Sequence, residues 1–194
     1  MNEAEKMGYA PYYINGDCFG NGNEATPVQA YADIYSEIME QSSAMNCTFD
    51  YIFVTVGTGM TLAGLICGRE VFSQEGNYPP PNIIGISIAR DANKAFAATS
   101  KYIFAYLKKH TLYTYDIFEN YGNGYGCYDE KTIKLIGAFL AKTGIALDRN
   151  YTGKGVDGML KYIQNKNIQE ANILFIHTGG LPLFFDSLKE GMEK

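Results

Sequence analysis

Two glycine-rich turns, each following an apolar run, concentrate the residues of this sequence that could do chemistry. Phe49 to Val56 (Phe-Asp-Tyr-Ile-Phe-Val-Thr-Val) runs into Gly57-Thr58-Gly59-Met60-Thr61. A glycine-rich turn that opens a helix presents unpaired backbone N–H groups, and the helix dipole favours an anion there. Thr58 and Thr61 add hydroxyl donors, so Gly57 through Thr61 read as a phosphate cup. A plain strand-to-helix turn that needs glycine for its geometry would look the same. The motif is neither G-x-G-x-x-G nor a Walker A loop, which disfavours adenine nucleotides. The second run, Ile173 to Ile176, ends in His177-Thr178-Gly179-Gly180 and would set a hydroxyl at the level of Thr58. In open α/β sheets ligands bind at the carboxyl ends of strands. His177 reads as a hydrogen-bonded structural histidine.

Two further stretches place tyrosines on glycine-rich turns: Tyr121-Gly122-Asn123-Gly124-Tyr125-Gly126 and Asn150-Tyr151-Thr152-Gly153-Lys154-Gly155. Tyrosine can stack on a planar ring or move a proton, and it is also a common core or surface aromatic. Lys154, between Asp148 and Asp157, is expected to be solvated.

The elements that must hold these residues alternate between strand and helix. Ala4–Met7 reads as the end of a helix with Gly8 as its cap, and Tyr12–Ile14 as a short strand. A helix is expected from Pro27 to Met39, with Thr26 as its cap, because Val28, Tyr31, Ile34, Tyr35, Ile38 and Met39 recur at helical spacing. Phe49–Val56, Asn82–Ala89 and Ala171–Ile176 read as buried strands. Helices are expected at Leu62–Phe72, Ala92–Lys109, Asp129–Thr143 and Asp157–Gln164. Strands separated by helices predict an α/β fold, a parallel sheet covered on both faces in three layers.

The composition narrows the function classes. The chain has 194 residues, 46% hydrophobic and 19% charged, with a net charge of −5. That suits one sizeable globular core. An acidic chain with no basic cluster is a poor nucleic-acid binder. No apolar run reaches the roughly 20 residues of a spanning helix, so no membrane role is expected. His110 and His177 lie far apart, and Cys18, Cys47, Cys67 and Cys127 form no C-x-x-C pair, so no metal site is expected. The polar N-terminus and the cysteine in an apolar helix point to a reducing, cytoplasmic location.

Taken together, four blocks resemble the D-cysteine desulfhydrase and 1-aminocyclopropane-1-carboxylate (ACC) deaminase family. They are Val54–Gly64, Gly124–Gly126, Leu147–Met159 and Ile173–Pro182, in the family's order. The family belongs to the tryptophan synthase β-like, fold type II enzymes that use pyridoxal 5'-phosphate. The resemblance implies that residues 1–194 correspond to its later part: a partial fold made of the large domain and a returning segment. It implies that Gly57, Thr58, Gly59, Met60 and Thr61 hold the cofactor phosphate, that Tyr151 stacks on the pyridine ring, and that Thr178 bonds the ring nitrogen. Tyr125 would be catalytic on the substrate side, and Tyr125 and Thr152 would bind substrate. The ring-opening deaminases carry Glu at the position of Thr152 and Leu at that of Thr178, which places this chain with the desulfhydrases. The implied reaction is α,β-elimination from D-cysteine or a similar small amino acid to pyruvate, ammonia and sulfide.

The chain departs from the family at Met60, where glycine is usual, and at the divergent stretch Asn15–Asn23. The family's Schiff-base lysine falls in the earlier part, and no residue here matches it. The chain alone is therefore expected to be inactive, its partner being the lysine-bearing part, in the same or a separate polypeptide, with a homodimer possible by analogy. The alternatives are an ACC deaminase, a non-catalytic remnant that binds phosphate or cofactor, and a Rossmann-like nucleotide binder. The last lacks a third glycine and an acidic ribose partner.

Overall fold

The computed structural model describes residues 2–10, 25–73, 79–120, 124 and 126–192. The strand read at Tyr12–Ile14 and the stretch Asn15–Asn23 lie outside them. Helix α1 (Asn2–Lys6) is followed by α2 (Ala25–Ala44), β1 (Tyr51–Val56), α3 (Met60–Ser73), β2 (Asn82–Ser87) and α4 (Ala92–Leu107). After these come β3 (Asp116–Glu119), α5 (Glu130–Thr143), α6 (Thr152–Asn165), β4 (Ile173–Ile176) and α7 (Leu181–Met192).

The four strands form one parallel sheet in the order β3-β2-β1-β4. β1 and β2 are apolar on both faces because both faces are covered. Ile52, Val54, Val56 and Ile83 join a core with α2, α3 and α4. On the opposite face Phe53, Ile84 and Ile86 pack with Tyr162 of α6. The three-layer α/β arrangement expected from the sequence is therefore present.

Helix α3 is buried from Leu62 to Glu70, a full circumference of side chains. Its Gly64 and Gly68 let α2 pack close. A Cβ on Gly64 would sit 2.4 Å from the Tyr31 Cβ, and one on Gly68 would sit 2.6 Å from the Ala32 carbonyl oxygen. On the other face Gly155 and Gly158 bring α6 onto Thr55 of β1 and Ile86 of β2 in the same way.

Several boundaries differ from the sequence reading. Helix α2 begins at Ala25, so Thr26 lies inside its first turn instead of capping it. Asp129 is the cap of α5, accepting from the Thr132 backbone N–H. β3 and α7 were not expected at all. β3 has only four residues, two apolar ones flanked by an acid at each end. Helix α6 starts five residues before the expected Asp157, because Asp148 folds the preceding loop into a helix start, as described below.

Candidate active site

The strand order has one reversal. From β1 the chain steps through β2 to β3 on one side, while β4 returns to the other side of β1. A crevice forms outside the carboxyl ends of the two strands that flank such a switch point, and ligands bind there. β1 and β4 stay in register to the pair Val54↔Ile176. Gly57 follows three residues beyond Val54, and Thr178 two beyond Ile176. Both glycine-rich turns therefore leave the sheet side by side.

The turn after β1 enters α3 directly. Gly59 is buried at φ +100°, a left-handed conformation that favours glycine. Its carbonyl accepts from the Ala63 N–H at 2.9 Å, closing the first helical turn. The N–H groups before Ala63 have no helical acceptor, as at every helix start. The Thr58 hydroxyl touches the Met60 N–H only at 3.5 Å, and Thr58 is exposed. Met60 and Thr61 are half-buried. Donors at the positive end of a helix dipole thus face the crevice, which is what an anion requires.

Tyr151 stands over this turn. A Cβ on Gly57 would lie 3.2 Å from the Tyr151 Cε1 and 3.6 Å from its hydroxyl. The half-buried phenol therefore borders the crevice and can offer a ring face to a planar ligand. Its position is set by Asp148, a fully buried carboxylate that sequence reasoning missed. The Asp148 Oδ1 accepts from the N–H groups of Asn150 and Tyr151 at 2.8 and 2.7 Å. Its Oδ2 accepts from the Thr152 N–H at 2.9 Å and the Thr152 hydroxyl at 2.7 Å. Asp148 lies three residues before Tyr151, the cap position of α6, and an Asp that bonds backbone N–H groups two and three residues on is a turn signal available in the sequence.

Gly180 completes the joint between the two turns. It has φ +98°, and a Cβ there would come within 2.3 Å of the Asp148 Oδ2. The block after β4 is thereby pressed onto the carboxylate that shapes the Tyr151 block. Thr178 is exposed. His177 Nε2 pairs with the Ala146 carbonyl at 2.9 Å, which agrees with a structural role.

Thr152 is engaged within its own turn, and one expectation, the solvated Lys154, is corrected. Thr152 is fully buried, and its hydroxyl donates to the Asp148 carboxylate and accepts from the Asp148 N–H at 2.8 Å. Its hydroxyl is committed to the turn. Lys154 is 4% exposed, not solvated, and its Nζ donates to the Gly124 carbonyl at 2.7 Å. Burial pulls its pKa below the usual lysine value, against the pull of the Cys127 and Asp129 side chains. Tyr125 lies outside the described residues, although Lys154 fixes the Gly124 beside it.

Behind the turn after β1 stands Thr99 of α4. It is fully buried, with its Oγ1 2.9 Å from where a Gly59 Cβ would be. That oxygen has no hydrogen-bond partner among the described residues.

Comparison with known proteins bears on this crevice. The family of pyridoxal-phosphate dependent enzymes matches residues 1–179. The D-cysteine desulfhydrase of Yersinia enterocolitica is 30% identical over 191 residues, covering 93% of this chain and 54% of that protein. A crystal structure of an ACC deaminase homologue superposes with a TM-score of 0.77 at 26% identity, covering 99% of this chain and 56% of the other. The processed form of threonine deaminase isoform 2 from Solanum lycopersicum shares the fold, with a TM-score of 0.56 at 17% identity. The chain spans about half the length of the curated relatives it matches.

Proposed function

Because the chain belongs to the family of pyridoxal-phosphate dependent enzymes, we propose that it forms the phosphate-holding and ring-facing wall of the cofactor site in a lyase acting on a small amino acid. The type reaction is α,β-elimination: D-cysteine and water give pyruvate, ammonia and hydrogen sulfide. The observation that carries this reading is the meeting of three sequence blocks at one switch point, with Tyr151 against Gly57 and Gly180 against Asp148.

The residues present fit the cofactor. The turn from Gly57 to Thr61 has N–H donors at a helix start for a phosphate dianion, and the buried Thr99 hydroxyl beside it is unpartnered. When bound, pyridoxal phosphate supplies an electron sink for negative charge at the substrate α carbon. The chain's own residues bind and orient. Gly57, Thr58, Gly59, Met60 and Thr61 hold the phosphate, and the backbone N–H of Met60 serves as well as that of the usual glycine. Tyr151 packs on the ring and excludes water from that face. Thr178 offers the ring nitrogen a neutral hydroxyl, which does not protonate it as a carboxylic acid would. Tyr125 holds or moves a proton on the substrate side.

No residue of this chain is assigned the covalent lysine. Lys154, the lysine nearest these blocks, has its amine committed to the Gly124 carbonyl. The lysine-bearing part would come from the same or a separate polypeptide, and the chain alone would bind cofactor without turnover.

The test is titration of the purified chain with pyridoxal phosphate, followed by cofactor fluorescence, alongside a sulfide assay with D-cysteine. Saturable binding that phosphate competes away, with no sulfide, is expected. Absence of saturable binding would overturn the cofactor reading, and sulfide release would overturn the predicted inactivity.

A further inference from the structure

We infer that Thr99 is a positioning residue for the cofactor phosphate, its hydroxyl reserved for the loaded state, an inference that rests on the cofactor reading above. Thr99 lies in the middle of α4 and is fully buried. A Cβ on Gly59 would come within 2.9 Å of its Oγ1, 3.4 Å of its backbone nitrogen and 3.5 Å of its Cα. The backbone of α4 is thus pressed against the buried glycine of the phosphate turn, and the hydroxyl arrives there with it.

A helical threonine ordinarily returns its hydroxyl to a carbonyl three or four residues back. Thr99 does not, and its Oγ1 is unpartnered among the described residues. The helix cannot rotate to relieve this. Ala95 and Ile103, one turn to either side, are buried in the core, and Ser100 Oγ is bonded to the Tyr115 hydroxyl at 2.8 Å. A buried hydroxyl with no partner lowers stability, and valine would fill the same volume without that cost. Thr55 is also buried and unpartnered, but its Oγ1 faces Gly155 of α6 on the far side of the sheet. Thr99 alone of these two adjoins the turn. Once an anion fills the turn, the hydroxyl gains an acceptor in the phosphate, directly or through a water that the phosphate orders. It then fixes Gly59, and with it the direction of the N–H groups of Met60 and Thr61.

The inference predicts opposite signs for stability and affinity, which a merely structural threonine would not give. The full chain and its Thr99→Val and Thr99→Ser variants are titrated with pyridoxal phosphate and with pyridoxal, and ligand-free melting is recorded. Thr99→Val should weaken pyridoxal phosphate binding roughly tenfold, as for a lost charge-assisted hydrogen bond. It should leave pyridoxal binding unchanged and the ligand-free melting temperature equal or higher. Thr99→Ser should keep the wild-type affinity. Unchanged phosphate-ester affinity in Thr99→Val overturns the inference and leaves the cofactor reading standing. A parallel fall in melting temperature and in affinity for both ligands also overturns it, as the mark of simple packing. Failure of the unsubstituted chain to bind pyridoxal phosphate removes the cofactor reading, and this inference with it.

Discussion

At the scale of single residues, the candidate site depends on groups that do not face the crevice. Asp148 takes four hydrogen bonds from the three residues ahead of and at the start of α6. It sets the Tyr151 ring without touching the crevice. Gly180 is the residue on which this depends most sharply. It combines a left-handed backbone with a 2.3 Å approach of any Cβ to the Asp148 carboxylate. Gly180→Ala therefore adds backbone strain to a steric clash, each of order 1–3 kcal/mol. It is expected to lower the melting temperature and to weaken pyridoxal phosphate binding together. Melting and cofactor fluorescence on the same preparation check this, and an unchanged melting temperature would count against the tight contact.

At the scale of elements, α3 connects the glycine-rich turn after β1 to the far end of the sheet, and its second half is pinned by two buried charged residues, Arg69 and Glu70. Arg69 donates to the Thr114 carbonyl at 2.9 Å and lies over the Tyr113 ring. Glu70 accepts from the Thr111 hydroxyl and the Leu112 N–H, each at 2.9 Å, and Lys109 lies 3.3 Å away. Burial raises the Glu70 pKa. The bonds from Leu112, Thr111 and Lys109 outweigh burial and hold the carboxyl below its usual value. A depressed carboxyl stabilises the fold above its unfolded pKa of about 4.3, and that contribution is lost as pH falls through the folded value. Glu70→Gln should cost about 1–3 kcal/mol at pH 7. It should also flatten the decline of stability below about pH 4.3. Denaturant melts at pH 7 and at several acid values check both, and parallel acid limbs would refute the assignment.

At the scale of the whole molecule, the sheet ends on a short strand that leads into one half of the candidate site. β4 pairs with β1 on one side, and among the described residues no strand pairs with the other. All four of its residues are only half-buried. Beside it Leu181 and Phe185 of α7 are 49% and 55% exposed. An unpaired edge next to exposed apolar side chains favours association. The purified chain is expected to sediment as concentration-dependent oligomers, and Leu181→Lys combined with Phe185→Lys should shift it toward monomer. A monodisperse monomer of the unsubstituted chain would contradict this. No helix among the described residues is long and apolar enough to cross a membrane.

The strand-turn-helix at Gly57 and the strand that leads into Thr178 were legible because each is local: an apolar run and a glycine turn, followed at Gly57 by helical spacing. The parallel sheet followed from alternation alone, since both faces of β1 and β2 are apolar. β3 was not legible, because two apolar residues between two acids show no strand period and look like loop until β2 pairs with them. The early start of α6 was missed for the opposite reason. Glycines at 153, 155 and 158 argue against helix locally, while Asp148 and close packing on β1 and β2 reward it. Only the tertiary structure showed that the Thr152 hydroxyl is taken by Asp148, that Lys154 is buried, and that Thr99 adjoins Gly59. Each of these depends on which side chains meet across elements, and sequence spacing within one element carries no information about that. The sequence by itself determined the chemistry offered at each strand end; the strand order, which sets β4 beside β1, decided that these ends meet at one crevice.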